Sequence, residues 1–129
     1  MENIRISSRV RETEGLPVID VSGEVDIYTT PQFKDAVTEI LQQGHIHIII
    51  NLTDVSYMDS SGFGTLLSAT KRLRPQNGGI YLVGCNEAVS RMLDITRLNT
   101  IFTVVHTEEE AVAAVAASLL EQARSPVLA

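Results

Sequence analysis

The stretch Ile46-His47-Ile48-Ile49-Ile50-Asn51-Leu52-Thr53-Asp54-Val55-Ser56-Tyr57-Met58-Asp59-Ser60-Ser61-Gly62-Phe63-Gly64 decides the fold. Residues 46–52 are almost continuously apolar, the pattern of a strand covered on both faces. Residues 62–73 then place Phe63, Leu66, Leu67, Thr70 and Leu73 at helical spacing, until Pro75 and Asn77-Gly78-Gly79 end the helix. The intervening residues 53–61 are predicted to form a β-to-α loop at the carboxyl end of a buried strand. Crevices of that kind are where α/β folds usually bind ligands and partners.

Working outward, the same alternation of strand and helix continues in both directions. Ile4, Ile6 and Val10 alternate with Arg5, Ser7, Arg9 and Arg11, which predicts a strand with one wet face. Glu14-Gly15 supplies a turn, and residues 16–21 return, with Pro17 near the start where a missing N–H does little harm. Thr30 is placed to cap a helix with Pro31 in its first position, carrying Phe33, Ala36, Val37, Ile40 and Leu41 on one stripe up to Gly44. Residues 80–83 and 101–105 are predicted strands. Between them Asn86 caps a short helix with Ala88, Val89, Met92 and Leu93. Thr107 and Glu110 form a capping box for a last helix lined by Ala111, Val112, Val115, Ala116, Leu119 and Leu120. The order β-β-α-β-α-β-α-β-α predicts a single α/β domain, a mixed and mainly parallel sheet covered by about four helices.

Composition limits what such a domain can do. The 129 residues suffice for one core, here assigned to residues 1–124, with 125–129 as a frayed tail. A formal charge of −6 opposes binding to nucleic acid or to anionic lipid. No apolar run approaches the roughly 20 residues that cross a bilayer, and the N-terminus lacks the apolar core of a signal peptide. The lone Cys85 has no internal disulfide partner and reads as a buried, inert thiol. A cytoplasmic location is expected.

The chemistry concentrates at Asp59-Ser60-Ser61-Gly62-Phe63-Gly64. A helix opening at Ser61 or Gly62 would turn its unpaired N–H groups and positive end toward Ser60. A phosphate there adds roughly −1.5 to −2 charge, of which the helix end offsets about 0.3–1 kcal/mol. Gly62 and Gly64 leave the backbone uncovered, so the active site of another protein has access to the hydroxyl. Asp59 is placed to orient that hydroxyl or to repel the phosphate. No His or Lys lies near in sequence to activate Ser60 as a nucleophile, and the Gly-x-Ser-x-Gly elbow is absent. Ser60 therefore reads as a substrate, and no residue is assigned a catalytic role. On local chemistry alone, ordinary helix capping explains the same residues.

What separates these readings is a resemblance. Residues 49–64 resemble the signature segment of the STAS domain family, specifically the bacterial anti-sigma factor antagonists. Gly23-Glu24-Val25-Asp26 is similar to the family's loop after its second strand. Asn77-Gly78-Gly79 is similar to its next turn, and Leu93-Asp94-Ile95-Thr96-Arg97-Leu98 to its short late helix. The likeness extends over residues 4–120. It implies a partner switch in which Ser60 is phosphorylated by an anti-sigma factor that is a serine kinase using ATP. The unphosphorylated form binds that kinase and frees the sigma factor, and a metal-dependent phosphatase resets the switch. Asp26, Asp59, Ser60, Ser61, Gly62 and Gly64 are the expected partner-binding residues. No cofactor, metal or small-molecule substrate is implied. Asn51 stands where many relatives carry Asp, and Phe63 replaces a more usual aliphatic residue; neither removes a required group.

The alternative is a non-switching STAS subunit that stabilises a larger complex, such as the ATPase of a lipid-import system, with Ser60 a cap and nothing more. A hydrolase using Ser60 is third. His45 and His47 share one strand face, but no further ligands accompany them, so structural or solvent-facing roles are expected. Lys71, Arg72 and Arg74 complement the negative end of one helix, and Glu108-Glu109-Glu110 the positive end of another.

Overall fold

The described residues begin, in the computed structural model, with a hairpin whose turn residues Glu14 and Gly15 both take positive φ, 48° and 81°. The structure describes residues 7–124. Ile4 and Ile6 of the first expected strand, and the expected tail 125–129, lie outside them. Strands β1 (Ser7–Thr13) and β2 (Leu16–Val25) pair antiparallel, and β3 (His47–Met58), β4 (Gly79–Val83) and β5 (Thr103–Val105) follow in parallel, giving one sheet in the order β1-β2-β3-β4-β5. Helices α1 (Thr30–Gln42), α2 (Ser60–Leu73), α3 (Glu87–Thr96) and α4 (Glu108–Arg124) complete the α/β architecture predicted from the pattern.

Two hydrophobic layers explain why residues 48–50 read as a continuous apolar run. Successive strand side chains point to opposite faces. Ile48 and Ile50 pack with Ile19, Val21, Ile80 and Leu82 beneath α1, α2 and α3, against Phe33, Ile40, Leu66 and Leu93. Ile49 packs with Val18, Tyr81 and Val83 beneath α4, against Ala111 and Val115. Fully burying an aliphatic side chain contributes about 1.5–3 kcal/mol, so the central strands anchor both layers.

The strands leading to the site are longer than the sequence pattern predicts. Residues 53–58 and 23–25, read as loops, are the ends of β3 and β2. They pair as Ser22↔Asp54, Gly23↔Val55, Glu24↔Tyr57 and Val25↔Met58, with register shifts between Asp20 and Ser22 and between Gly23 and Glu24. The irregular register breaks strict alternation, so the polar run at 53–57 looks like a loop. Pairing nevertheless satisfies the backbone and buries Val25, Val55 and Met58.

The last helix shows the opposite departure. Its capping box is present: the Glu110 N–H donates to the Thr107 hydroxyl (3.1 Å), and the Glu110 carboxylate accepts the N–H groups of His106 (2.7 Å) and Thr107 (3.3 Å). Ala111 and Val115 are buried, but Ala116, Leu119 and Leu120, expected on the same apolar stripe, are exposed. A helix of 17 residues outruns strands of five and three residues, so its second half has little sheet to cover. Strand β5 is likewise shorter than expected, because Ile101 is still part of the turn that follows Leu98–Thr100.

An ion-pair network ties the layers together. The Arg11 guanidinium donates to both oxygens of Asp20 (2.6 and 3.0 Å) and to Glu108 of α4, while Arg9 adds a bond of 3.2 Å and the Asn51 side-chain amide one of 2.9 Å to Asp20. The Arg11 bonds are the main reason that the Asp20 carboxyl is held down to about 2, against a smaller opposing effect of burial. His47 is buried, with its Nδ1 3.0 Å from the Tyr81 hydroxyl and its Nε2 without a partner among the described residues. It is a core histidine; among the described residues no three His, Cys, Asp or Glu side chains gather as a metal site. Cys85 is half-buried, and burial pushes its thiol up to about 11, in keeping with an inert side chain. No described helix is long and apolar enough to cross a membrane.

Candidate functional site

The site is built where the carboxyl ends of β2 and β3 hand the chain to α1 and α2. The Asp59 N–H donates to the Val25 carbonyl (3.0 Å), so the two strand ends stay paired up to the point where the helices begin. Asp59 has extended backbone (φ −98°, ψ −173°) and is the N-cap of α2. Its Oδ1 accepts the Ser61 N–H (2.9 Å) and the Ser61 hydroxyl. Burial raises the Asp59 pKa, but these two bonds, together with the backbone N–H groups of Gly62 and Ile27, outweigh it and hold the carboxyl below the ordinary carboxylate value.

Helix α2 therefore opens at Ser60, one residue earlier than the earliest expected start. The N–H groups expected to face a phosphate on Ser60 are already occupied by the Asp59 carboxylate. Ser60 itself, at the first helical position, is exposed, and its hydroxyl makes no hydrogen bond to the described residues. Ser61 is half-buried and fully engaged. Two adjacent serines thus have opposite fates, one serving the fold and one presented to solvent.

Asp26 organises the facing turn. Its Oδ1 accepts the N–H groups of Tyr28 (2.9 Å) and Thr29 (3.0 Å), and its carbonyl accepts the Thr30 N–H (2.8 Å) and hydroxyl (2.6 Å). The Thr29 hydroxyl donates to the Glu24 carbonyl (2.7 Å) and accepts the Asp26 N–H (2.9 Å). Thr30 was expected to cap α1; instead Thr29 occupies the cap position without a cap bond of its own, and Asp26 ties down the turn. The Thr30 and Ser61 hydroxyl oxygens lie 2.9 Å apart, which brings the heads of α1 and α2 side by side.

The structure brings Asp26, Asp59, Ser60 and Ser61 to one end of the sheet, but separates the two glycines. Gly64 is exposed and a Cβ there would meet nothing within 4 Å. Gly62 is buried, and a Cβ would lie 2.7 Å from Met58 Cγ and 2.8 Å from Val25 Cγ1. Its role is close packing of α2 on the strand ends, contrary to the uncovered backbone expected from the sequence. Sequence reasoning missed Thr29 and the exposed pair Ile27 and Tyr28, and read Thr30 only as a cap. The spacing Asp26-x-x-Thr29, an Asx-turn pattern, was the available signal.

Comparison with known proteins agrees with the fold. Residues 7–111 match the STAS domain family. The chain is 36% identical over 108 residues to the anti-sigma-B factor antagonist of Listeria monocytogenes, a match that covers 84% of this chain and 94% of that protein. Its structure is similar to that of an anti-sigma factor antagonist from Mycobacterium paratuberculosis (TM-score 0.78, 27% identity, 84% and 92% of the two chains). It is also similar to the Bacillus cell fate determinant SpoIIAA in its phosphorylated form (TM-score 0.66, 27% identity, 84% and 99%). On its sequence, its sheet order and the Asp59-Ser60-Ser61-Gly62 helix head, the chain belongs to the STAS domain family.

Proposed function

We propose that this protein is an anti-sigma factor antagonist that works as a phosphorylation-controlled partner switch and not as an enzyme. In its unphosphorylated form it binds an anti-sigma factor that is also a serine kinase, and so frees the sigma factor. ATP-dependent phosphorylation of Ser60 weakens that complex, and a metal-dependent phosphatase restores it. Asp26, Asp59, Ser60 and Gly64 form the contact surface, in the cytoplasm where sigma factors work.

The observation that carries this reading is the division of labour between the serines. The cap of α2 is Asp59, and the internal hydroxyl is Ser61, so Ser60 is left with no structural duty. A non-switching scaffold gives Ser60 the role of a cap, which it does not have here. A phosphate at Ser60 enters an interface that already holds the carboxylates of Asp59 and Asp26. Like-charge crowding and desolvation of the dianion then oppose binding. The relative named as an anti-sigma-B factor antagonist and the similar cell fate determinant solved in its phosphorylated form support this reading.

The test is intact-mass measurement and peptide mapping after incubation with ATP and each serine-kinase anti-sigma factor of the same genome. One phosphate, on Ser60 and absent in Ser60→Ala, is the expected result. Absence of phosphate with every candidate would favour the constitutive scaffold.

A further inference from the structure

Beside Ser60 the surface carries two large side chains that the fold does not use. Tyr28 is 87% exposed and Ile27 is 68% exposed. Both stand in the turn between β2 and α1, just beyond Val25, whose carbonyl accepts the Asp59 N–H (3.0 Å). A single exposed apolar residue is ordinary on a protein surface. Two in succession, on a turn held by Asp26, Thr29 and Thr30, are a different matter.

The rigidity of the turn gives the pair its meaning. Asp26 Oδ1 holds the N–H groups of Tyr28 and Thr29, and Thr29 is 5% exposed with its hydroxyl bonded to the Glu24 carbonyl. The backbone that presents Ile27 and Tyr28 is therefore ordered before any partner arrives. A preorganised aromatic with two rotatable side-chain bonds loses little entropy on docking, which is why tyrosines are frequent among the residues that dominate binding energy. The rim is acidic: Glu24, Asp26 and Asp59 are all partly exposed, in a chain of net charge −6.

We infer that Ile27 and Tyr28 are the apolar anchor of the partner complex, seated in an apolar cleft of the anti-sigma kinase whose edge carries Lys or Arg to meet Asp26 and Asp59. The inference rests on the partner-switch reading and specifies its surface. The two parts of the surface then have separate duties. The carboxylates guide encounter and orient Ser60 toward the kinase, while the anchor holds the complex together. A phosphate on Ser60 arrives among cationic groups already matched to Asp26 and Asp59, so its charge is left uncompensated at the edge of the cleft. The anchor does not touch the hydroxyl, so it affects capture of the substrate and not the phosphoryl transfer itself.

The test is stopped-flow or surface-binding kinetics of the full chain against the serine-kinase anti-sigma factor that phosphorylates it, with parent, Tyr28→Ala, Ile27→Ala, Tyr28→Phe and Asp26→Asn. Tyr28→Ala and Ile27→Ala are expected to keep the melting temperature, to raise the dissociation rate at least tenfold, and to raise the kinase KM for the chain with little change in kcat. Tyr28→Phe should retain near-parent dissociation, because the ring and not the hydroxyl is the anchor. Asp26→Asn should instead slow association and flatten its dependence on salt. Parent-like dissociation in both alanine variants, with the parent still binding and phosphorylated, overturns the anchor and leaves the switch standing. A parent that binds no such kinase overturns both.

Discussion

Asp59 receives both the backbone N–H and the hydroxyl of Ser61 on a single carboxylate oxygen, Oδ1. The residue directly after Ser60, the proposed phosphorylation site, is thereby removed from competition. Ser61→Ala is expected to be phosphorylated on Ser60 at close to the parent stoichiometry, while losing about 0.5–1.5 kcal/mol of stability with its hydrogen bonds. Peptide mapping and urea denaturation of the same preparation read the two effects separately.

Substitution of Ser60 itself separates binding from regulation. Ser60 is exposed and unbonded, so neither Ser60→Ala nor Ser60→Asp should shift the melting temperature by more than about a degree or two, as expected for surface changes within ±0.5 kcal/mol. Ser60→Ala should bind the anti-sigma factor like the parent and Ser60→Asp poorly. Equal titration curves for the two variants and the parent would count against the switch.

Gly62 and Gly64 lie in the same helix turn but should respond in opposite directions. Gly62→Ala pushes a methyl group against Met58 and Val25 and is expected to cost about 1–3 kcal/mol through overpacking. Gly64→Ala enters open space in a helix and should gain roughly 0.5–1 kcal/mol from the lower entropy of the unfolded chain. Denaturant midpoints at constant slope measure both.

Asn51 occupies a position at which its side-chain amide donates to Asp20. Asn51→Asp replaces that donor with a second carboxylate against Asp20, whose pKa is held near 2 and which is therefore ionised at any ordinary pH. A loss of about 1–2 kcal/mol is expected at pH 7, in the range of a lost charge-assisted bond at a partly screened site. The loss should shrink as the pH falls toward 4, where the new carboxyl takes up a proton.

His47 gives a stability profile with a definite sign. Burial lowers its pKa in the folded protein below the ordinary 6.5, so the unfolded chain binds more protons on the acid side of that value. Stability from this group is complete above pH 6.5 and declines as the pH falls from 6.5 toward the folded value. His47→Gln should flatten the decline. A parent chain of constant stability from pH 7 to pH 5 would contradict this account.

The elements that were legible in the sequence are those whose pattern is local. The capping box at Thr107 and Glu110, the Asn86 cap, the helix-ending turn at Asn77 and the largely apolar start of β3 each follow from residues that touch in sequence. The ends of β2 and β3 were not legible, because their pairing depends on register shifts that only the partner strand imposes. For the same reason Gly62 looked like an uncovered helix head. The side chains that fill the space over it, Met58 and Val25, come from two different strands. The exposed half of α4 was misread because a helical stripe states which face is apolar and not how far the sheet beneath it extends.

The hydroxyl contact between Thr30 and Ser61 has one more consequence. It brings the starts of α1 and α2 side by side, each already met by a carboxylate, Asp26 and Asp59, so the positive helix ends beside Ser60 are offset within the fold itself. Because the Ser60 hydroxyl is exposed and unbonded, a phosphate there would displace no contact of the isolated molecule, even where it opposes the proposed complex. The modified chain would then persist as a folded, silent reserve rather than as damaged protein. Returning it to service would require the loss of one phosphate and no refolding.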